Sequence, residues 1–349
     1  MTEHYWQSNG AALYVGDCIE VMRTLPDGCV QCVVTSPPYW GLRSYLSDDH
    51  DDKSMELGSE ATPAEYLENM VAVFAEVKRV LRDDGTLWLN MGDSYAGAPS
   101  GSFDSGNRGK GQEGGEFRAN KAFNTAIGSL KPKDLCGMPW RLAFALQADG
   151  WYLRSDIIWH KPNPMPESCT DRPTKSHEYV FLLSKSARYY YDADAVREPH
   201  SSWDGVTRDS YKGGKGDERT GLNLSPQGAV LPSGRKEAHS TGTRSGANLS
   251  SAYAGGPPGH AGGRNKRSVW TVTTKPYSGA HFACYPPELI TPCILAGCPE
   301  GGIVLDPFFG SGTTGMVAEQ CGRAWFGIEL NPDYGSLIDG RTAQRGLFV

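Results

Sequence analysis

Apolar residues recur along the chain with two different spacings, which predict strands alternating with helices. Val30–Thr35 is a continuous apolar run between turn residues, as in a buried parallel strand. Thr62-Pro63-Ala64-Glu65 is a capping box with proline at the first helical position, and apolar residues then recur at helical spacing until Gly85, the expected helix end. Further strands are expected at 13–15, 86–91, 151–159, 179–183, 303–305 and 324–328, and further helices at 18–25, 139–148 and 313–321. This alternation predicts an α/β fold with a doubly wound, mostly parallel sheet.

Two long stretches interrupt the alternation. Residues 96–130 and 201–263 are rich in glycine, serine, asparagine and charge, and neither has an apolar period. Long loops of this kind are usually functional or disordered. We therefore predict one α/β domain built from residues 1–195 and 268–349, with a loop insertion at about 96–130 and a Gly-rich basic insertion at 196–267.

Charge is distributed unevenly along the chain. The net charge is −6, yet residues 200–267 contain ten Lys or Arg against five acidic residues. A local basic excess favours contact with phosphates, although a solvated loop would show the same composition. The insertion is therefore a candidate nucleic-acid contact only in combination with other signals.

Cysteine usage and hydropathy predict a cytoplasmic protein without membrane contact. No apolar run approaches the roughly 20 residues of a membrane span, and residues 1–10 do not resemble a secretory signal. Nine cysteines without a framework spacing fit a reducing compartment. Cys29 and Cys32 have C-x-x-C spacing, but no second pair follows, so we interpret them as small strand residues and expect no metal.

A glycine loop follows the predicted strand at 303–305. Asp306 is followed by Gly310-x-Gly312-x-x-Gly315, and Glu329 ends the next strand, where a ribose-binding acid belongs. This pattern also fits a nicotinamide or flavin enzyme. However, a carboxylate at Asp306 would repel a pyrophosphate and suits a positively charged ligand such as S-adenosylmethionine. Only 34 residues follow Gly315, so the remaining strands must come from the N-terminal part in a permuted order.

The strand at 30–35 runs into Ser36-Pro37-Pro38-Tyr39-Trp40. Two prolines fix the backbone and remove two N–H donors, which leaves rigid carbonyl acceptors at the carboxyl edge of the sheet. An aryl amine is a poor nucleophile because its lone pair is delocalised, and accepting its hydrogens on a prolyl-side carbonyl and the Ser36 hydroxyl would localise that pair on nitrogen. Tyr39 and Trp40 could stack on a flipped base. The alternative is a rigid loop with aromatic packing.

Together the two motifs resemble those of the amino-methylating DNA methyltransferases of the permuted beta type. The resemblance covers about residues 12–95, 150–195 and 268–335. It implies a Rossmann-like, circularly permuted S-adenosylmethionine-dependent methyltransferase, with a catalytic half at 1–195, a target-recognition insertion at 196–267 and a cofactor-binding half at 268–349. It also implies duplex DNA as substrate and a cognate restriction endonuclease as a candidate partner.

The candidate site residues fall into three groups. The amino-group site comprises Ser36, Pro37, Pro38 and Tyr39. The cofactor site comprises Asp17, Phe282, Tyr285, Asp306, Phe308, Gly310, Gly312, Thr313 and Glu329. By the resemblance Lys161 belongs to the loop that lines the base pocket. The position of Trp40 beside the motif makes it a candidate for stacking on the base, and Arg264 and Arg267 of the basic insertion are candidates for contacts with guanine or phosphate. Asp17 could instead be only a helix cap, and Lys161 only a surface residue.

The acceptor base is assigned from Ser36. Serine at this position is typical of enzymes that resemble cytosine-N4 methyltransferases, whereas Asp or Asn is more usual for adenine-N6, which stays the alternative. Methyltransferases of RNA or of protein glutamine also use Pro-Pro-Tyr, but usually after the glycine loop. Carbon methylation of cytosine needs a Pro-Cys nucleophile, and Pro292-Cys293 lies in an apolar, helix-like stretch that we interpret as core.

Overall fold

A computed structural model describes residues 4–8, 10–41, 46, 49–96, 130–199, 263–274, 285–335 and 338. The chain divides into two compact units, residues 1–196 with 266–349 and residues 197–265. In the described part of the second unit, Glu198 and Arg264 pair through both backbone N–H groups at 2.9 Å. The strands and α-helices of the described residues lie in the first unit.

Nine strands in the described residues form one mixed sheet. They are β1 (His4–Ser8), β2 (Ala11–Val15), β3 (Val30–Thr35), β4 (Leu81–Met91), β5 (Tyr152–His160), β6 (His177–Ser184), β7 (Val269–Thr271), β8 (Ile303–Asp306) and β9 (Ala324–Glu329). Their order is β1-β2-β9-β8-β3-β4-β6-β5-β7. The neighbouring pairs β2–β9, β9–β8, β8–β3, β3–β4 and β5–β7 are parallel. The pairs β1–β2, β4–β6 and β6–β5 are antiparallel. The two C-terminal strands, β8 and β9, lie between β2 and β3, which confirms the permuted order.

Five α-helices connect the strands in the described chain. They are α1 (Cys18–Thr24), α2 (Pro63–Val80), α3 (Met138–Ala148), α4 (Pro287–Gly297) and α5 (Thr313–Gln320). Side chains of nearby residues cap the N-termini of α1 and α2, as predicted. Asp17 accepts the N–H of Glu20, and Thr62 and Glu65 form a complete capping box. Among the described residues, no helix combines the length and apolar character needed to cross a membrane.

The sheet separates two apolar layers, because successive side chains of a strand point to opposite faces. Val33 and Leu87 belong to a core that also contains residues of α1, α2 and α3. Cys32 and Trp88, one position away on the same strands, belong to a second core with α4 and α5. Helices therefore cover both faces, as the doubly wound prediction requires. Cys32 is fully buried, in agreement with its interpretation as a strand residue.

The predicted end of α2 is wrong. The helix ends at Val80, and the N–H of Leu81 donates to the carbonyl of Val77. Gly85 lies inside β4, because Leu81 already pairs with Val30 and a register shift accommodates the residues before Thr86. Glycine therefore marks an irregular strand here rather than a helix end.

Two strands, β1 and β7, were not predicted, and α4 was indicated only as an apolar, helix-like stretch. β1 is an antiparallel edge strand next to β2, and β7 has only three residues. α4 contains Pro292 and Cys293, and Cys293 is buried and donates to the carbonyl of Leu289, which agrees with the core interpretation. Most of the predicted loop insertion at 96–130 and of the basic insertion, and the C-terminal tail beyond 338, lie outside the described residues.

Candidate active site

One cavity of about 670 Å³ lies at the carboxyl ends of the central parallel strands. It is lined from one side by the residues after β3 and from the other by those after β8, two adjacent parallel strands. In an open α/β sheet, this edge is where ligands bind. The cavity is therefore the candidate active site of the first unit.

The glycine loop after β8 depends on left-handed backbone. Gly310 has φ 53° and Gly312 has φ 81°, a region that favours glycine. Gly312 is also the N-cap of α5, and its N–H donates to the carbonyl of Phe309. The loop places Phe308, Gly310 and Thr313 along the cavity, whereas Gly312 does not line it.

Asp306 is the hydrogen-bond centre of this loop. The side chain is only 1% exposed, and Oδ1 accepts from Thr35 Oγ1 at 2.6 Å and from the N–H of Phe308 at 3.1 Å. Oδ2 accepts from Tyr285 Oη at 3.0 Å and from Thr314 Oγ1 at 2.5 Å. Burial raises the pKa of Asp306, and the four donors oppose that shift. These four donors fill the lone-pair sites of the carboxylate. Asp306 therefore connects its own loop after β8 with Thr35 at the end of β3 and with Tyr285 before α4.

Glu329 ends β9 on the same side of the cavity. Oε2 accepts the N–H of Gly310 at 2.7 Å, and Oε1 accepts the N–H of Asn331 at 2.9 Å. These two bonds leave one lone pair on each oxygen, a pattern that matches the two hydroxyl groups of a ribose. Burial raises the pKa of Glu329 to about 7, although backbone N–H donors oppose the shift.

The Ser36–Tyr39 segment forms the opposite wall. The carbonyl of Pro38 accepts a hydrogen bond from Tyr66 Oη at 2.8 Å, so α2 fixes the middle of the segment. Ser36 Oγ lies 3.4 Å from Tyr39 Oη, to which it donates. The backbone carbonyl best suited to an incoming amino group is therefore that of Pro37, with Ser36 beside it.

A polar cluster not predicted from the sequence lies behind Tyr39. Tyr39 Oη donates to Glu178 Oε2 at 3.0 Å, and Lys161 forms a short ion pair with the other oxygen of Glu178. Asn90 contacts Glu178 at 3.4 Å and donates to the carbonyl of Tyr179 at 3.0 Å. Burial, and then the charge of Glu178, raise the pKa of Tyr39 well above its usual value. Tyr39 is therefore a neutral hydrogen-bond donor in this site.

Lys161 is not a free surface residue. Besides its ion pair with Glu178, its Nζ lies 4.2 Å from the centre of the Trp159 ring. Both charged side chains are largely shielded from solvent. Trp159, Lys161 and Glu178 all line the cavity, which puts an aromatic face and an ion pair on one wall.

The structure brings most of the predicted site residues together. Those that line the cavity are Asp17, Ser36, Pro37, Pro38, Tyr39, Lys161, Tyr285, Asp306, Phe308, Gly310, Thr313 and Glu329. Asp17 also caps α1, so both of its predicted roles are compatible with its position. Phe282 lies outside the described residues.

Trp40 does not line the cavity, contrary to its predicted contact with a base. Its side chain is 3% exposed, and its ring N–H donates to the carbonyl of Glu60 at 2.9 Å. The ring belongs to the core beneath α2 and cannot stack on a ligand without leaving it. Arg264 belongs to the second unit, where it pairs with Glu198 at 3.2 Å, and Arg267 is exposed in the first unit and does not line the cavity.

Asp93, whose role the sequence does not indicate, is a structural residue. Its carboxylate accepts the N–H groups of Gly137 and Met138 at 3.1 Å and that of Ser94 at 3.0 Å. Gly137 is the N-cap of α3 and has no side chain to serve that helix itself. Asp93 therefore supplies the carboxylate that α3 lacks at its N-terminus.

Comparison with known proteins identifies relatives across almost the whole chain. Residues 30–339 match the N6/N4 family model described as DNA methylase. The chain is 46% identical over 335 residues to the Type II methyltransferase M.Cfr9I of Citrobacter freundii, covering 93% of this chain and 85% of the relative. It is 41% identical over 346 residues to the Type II methyltransferase M.SmaI of Serratia marcescens, covering 99% and 95%.

Solved structures share the fold. The PvuII DNA methyltransferase (cytosine-N4-specific) matches with a TM-score of 0.59 and 16% identity, over 99% of this chain and 91% of that one. A putative DNA modification methylase of Thermus thermophilus, solved with S-adenosyl-L-methionine, matches with a TM-score of 0.52 and 22% identity, over 95% and 93%. At these identities the likeness concerns the fold.

Proposed function

Because the chain belongs to the N6/N4 DNA methylase family, we propose that it methylates the N4 amino group of a cytosine flipped out of duplex DNA. The enzyme class, an S-adenosylmethionine-dependent DNA amino-methyltransferase, follows from the family, and the choice of base is the proposal. One observation carries the catalytic part: the Ser36–Tyr39 segment and the Asp306–Thr313 loop line a single cavity. A methyl donor and an amino group could meet there, which direct transfer requires.

The cofactor side of the cavity fits S-adenosylmethionine, which supplies a methyl group on a positively charged sulfur. Glu329 has one lone pair free on each carboxylate oxygen, which suits two ribose hydroxyls. Asp306 contributes negative charge, but its oxygens already accept four hydrogen bonds. Its role is therefore to hold the loop rather than to bind the ligand's amino group directly.

The acceptor side fits an aryl amine. The Pro38 carbonyl already accepts from Tyr66, so Ser36 Oγ and the Pro37 carbonyl are the two acceptors we assign to the amino hydrogens. Accepting both hydrogens localises the lone pair on nitrogen and directs it toward the donor. Tyr39 lines the same wall and offers its ring to the flipped base.

Cytosine is favoured over adenine by Ser36. A serine hydroxyl is uncharged and can both accept and donate, and here it donates to Tyr39 and keeps lone pairs for the substrate. Aspartate or asparagine is the more usual residue in relatives that act on adenine. Adenine N6 remains the second candidate, since both amines need the same acceptors.

Nucleoside mass spectrometry tests the proposal. Duplex DNA is incubated with the protein and labelled S-adenosylmethionine, digested, and analysed for methylated nucleosides. N4-methylcytosine is the expected product, and N6-methyladenine would keep the mechanism but refute the choice of base. Label in neither base, with the cofactor bound, would refute action on DNA.

A variant pair tests the catalytic loop. Replacing Ser36 and Tyr39 together by alanine should abolish transfer and leave cofactor binding within about threefold, because both residues lie on the acceptor wall. Tyr152→Ala, which removes an exposed tyrosine that does not line the cavity, serves as the matched control for folding and cofactor binding. Full activity of the double variant would refute the assignment.

Target recognition and partner are further proposals. We propose that residues 196–267 are the target-recognition insertion, with Arg264 and Arg267 near its end contacting phosphate or guanine. The relatives named Type II methyltransferases support a restriction endonuclease of the same target sequence as the cognate partner. DNA methylated by this protein should then resist cleavage by an endonuclease that reads that sequence.

A further inference from the structure

An exposed methionine stands at the rim of the cavity. Met165 lines the cavity, yet its side chain is 84% exposed, the largest value among the large apolar side chains of the described residues. Single exposed apolar residues are common on protein surfaces. This one is unusual because of its position at the entrance to a site that must admit a base.

The chain around Met165 is stiff. Prolines occupy positions 162, 164 and 166, so Met165 lies between two of them. Proline fixes its own φ, and it also restricts the preceding residue to extended backbone. Met165 is therefore held in extended backbone, so the backbone loses little conformational entropy on binding.

Hydrogen bonds anchor this segment on both sides. The side-chain amide of Asn163 donates to the carbonyl of Thr274, and the N–H of Thr274 donates to the side-chain oxygen of Asn163, both at 3.0 Å. The hydroxyl of Thr274 also donates to the carbonyl of Asn163 at 3.4 Å. Farther along, Glu167 forms an ion pair with Arg172 at 2.6 Å and accepts the N–H of Lys175. The rim segment is thus fixed to the strand framework, and Met165 extends from it into solvent.

We propose that Met165 is an apolar wedge that enters the base stack of duplex DNA where the target base has left it. The proposal rests on the proposed function, since only a flipped base leaves such a gap. Apolar side chains, methionine among them, are inserted between base steps by proteins that distort DNA. The unbranched thioether of methionine suits an irregular gap, and filling it opposes the return of the base.

The test compares two substrates that differ only in pairing at the target. Wild-type protein first serves to map the methylated base in duplex DNA. The kcat/KM of wild type and Met165→Ala is then measured on that duplex and on the same duplex with an abasic site opposite the target. The abasic site removes the pairing that a wedge must oppose.

We expect Met165→Ala to lower kcat/KM on paired duplex about 10- to 100-fold, and to lie within about threefold of wild type on the abasic substrate. Met165→Leu should retain most of the activity on both. The control Leu135→Ala removes a side chain of similar size that is 50% exposed outside the cavity, and it should not change the ratio between substrates.

Two results would overturn the inference. Met165→Ala with wild-type activity on paired duplex would show that the side chain is not needed, and an equal loss on both substrates would indicate a contact unrelated to flipping. Failure of the wild type to methylate any duplex would instead refute the proposed function. Cofactor binding by Met165→Ala should match wild type, which excludes misfolding as the cause.

Discussion

Protonation of Glu329 should control the affinity for S-adenosylmethionine. The ionised carboxylate offers one lone pair on each oxygen, whereas the protonated acid replaces one of these acceptors by a donor. With a pKa of about 7, only a small fraction of Glu329 is ionised at pH 5.5. If only the ionised form binds, the apparent dissociation constant falls about 15-fold between pH 5.5 and 7, equivalent to about 1.6 kcal/mol.

Isothermal titration calorimetry across this range measures the effect, with Glu329→Gln as the comparison. Glutamine keeps the size and one acceptor but does not titrate, so its affinity should be lower at pH 7 and nearly independent of pH. The amino group of the ligand itself titrates near 8, and the variant corrects for that contribution. A wild-type affinity that is flat from pH 5.5 to 7, or a variant with the same slope, would refute the reasoning.

The same raised pKa affects folding without any ligand. The folded protein binds the proton more tightly than the unfolded chain, so this contribution to stability is complete below the unfolded pKa of about 4.5 and is lost as pH rises through about 7. The shift corresponds to about 3 kcal/mol in total. Urea unfolding of the free protein should show this loss in wild type and not in Glu329→Gln.

Three further changes have defined consequences. Gly92→Ala would put Cβ 2.7 Å from the ring of Tyr39, so we expect a loss of about 1–3 kcal/mol in unfolding free energy and at least tenfold in kcat. Tyr285→Phe removes one of the donors to Asp306 and should cost about 1–3 kcal/mol, with weaker cofactor binding by calorimetry. Asp93→Ala leaves the start of α3 without its carboxylate and should lower stability by about 1–2 kcal/mol in urea while cofactor affinity is unchanged.

Each of these expectations has a contrary result. Wild-type turnover by Gly92→Ala would show that Tyr39 can shift without consequence. Unchanged stability of Tyr285→Phe would indicate that the other donors suffice for Asp306. A fall in cofactor affinity for Asp93→Ala would place α3 in the binding site rather than in the scaffold.

Features set by near neighbours in the chain were predictable. Asp17 and Glu20 are joined by a hydrogen bond, as are Thr62 and Glu65, and each pair is only three residues apart. The sequence alone therefore indicated where α1 and α2 begin. The glycine loop was likewise identifiable, because it requires a fixed spacing after a strand. Gly85 shows the limit of such rules. The helix ends before this glycine because Leu81 pairs with Val30, which is 51 residues away in sequence.

Features that depend on strand order were not predictable. Glu178 is 139 residues from Tyr39 and reaches it only because β6 pairs antiparallel with β4. No local pattern around Glu178 indicates that partner. The prediction for Trp40 was wrong for the related reason that its burial beneath α2 is a tertiary property, although its position next to the motif resembled that of a base-stacking residue.

The hydrogen bond between Thr35 and Asp306 explains why a permuted chain can form the same site. These residues end β3 and β8, which are adjacent and parallel, and their side chains meet at 2.6 Å although 271 residues separate them. Neighbouring strands lie only about 4.8 Å apart, so the loops that follow them open into one cavity whatever their order in the chain. Transfer needs that adjacency, and it does not need the acceptor loop to follow the glycine loop in sequence. The permutation therefore changes how the chain connects the two walls of the cavity. The distance between the walls is set by the spacing of the neighbouring strands.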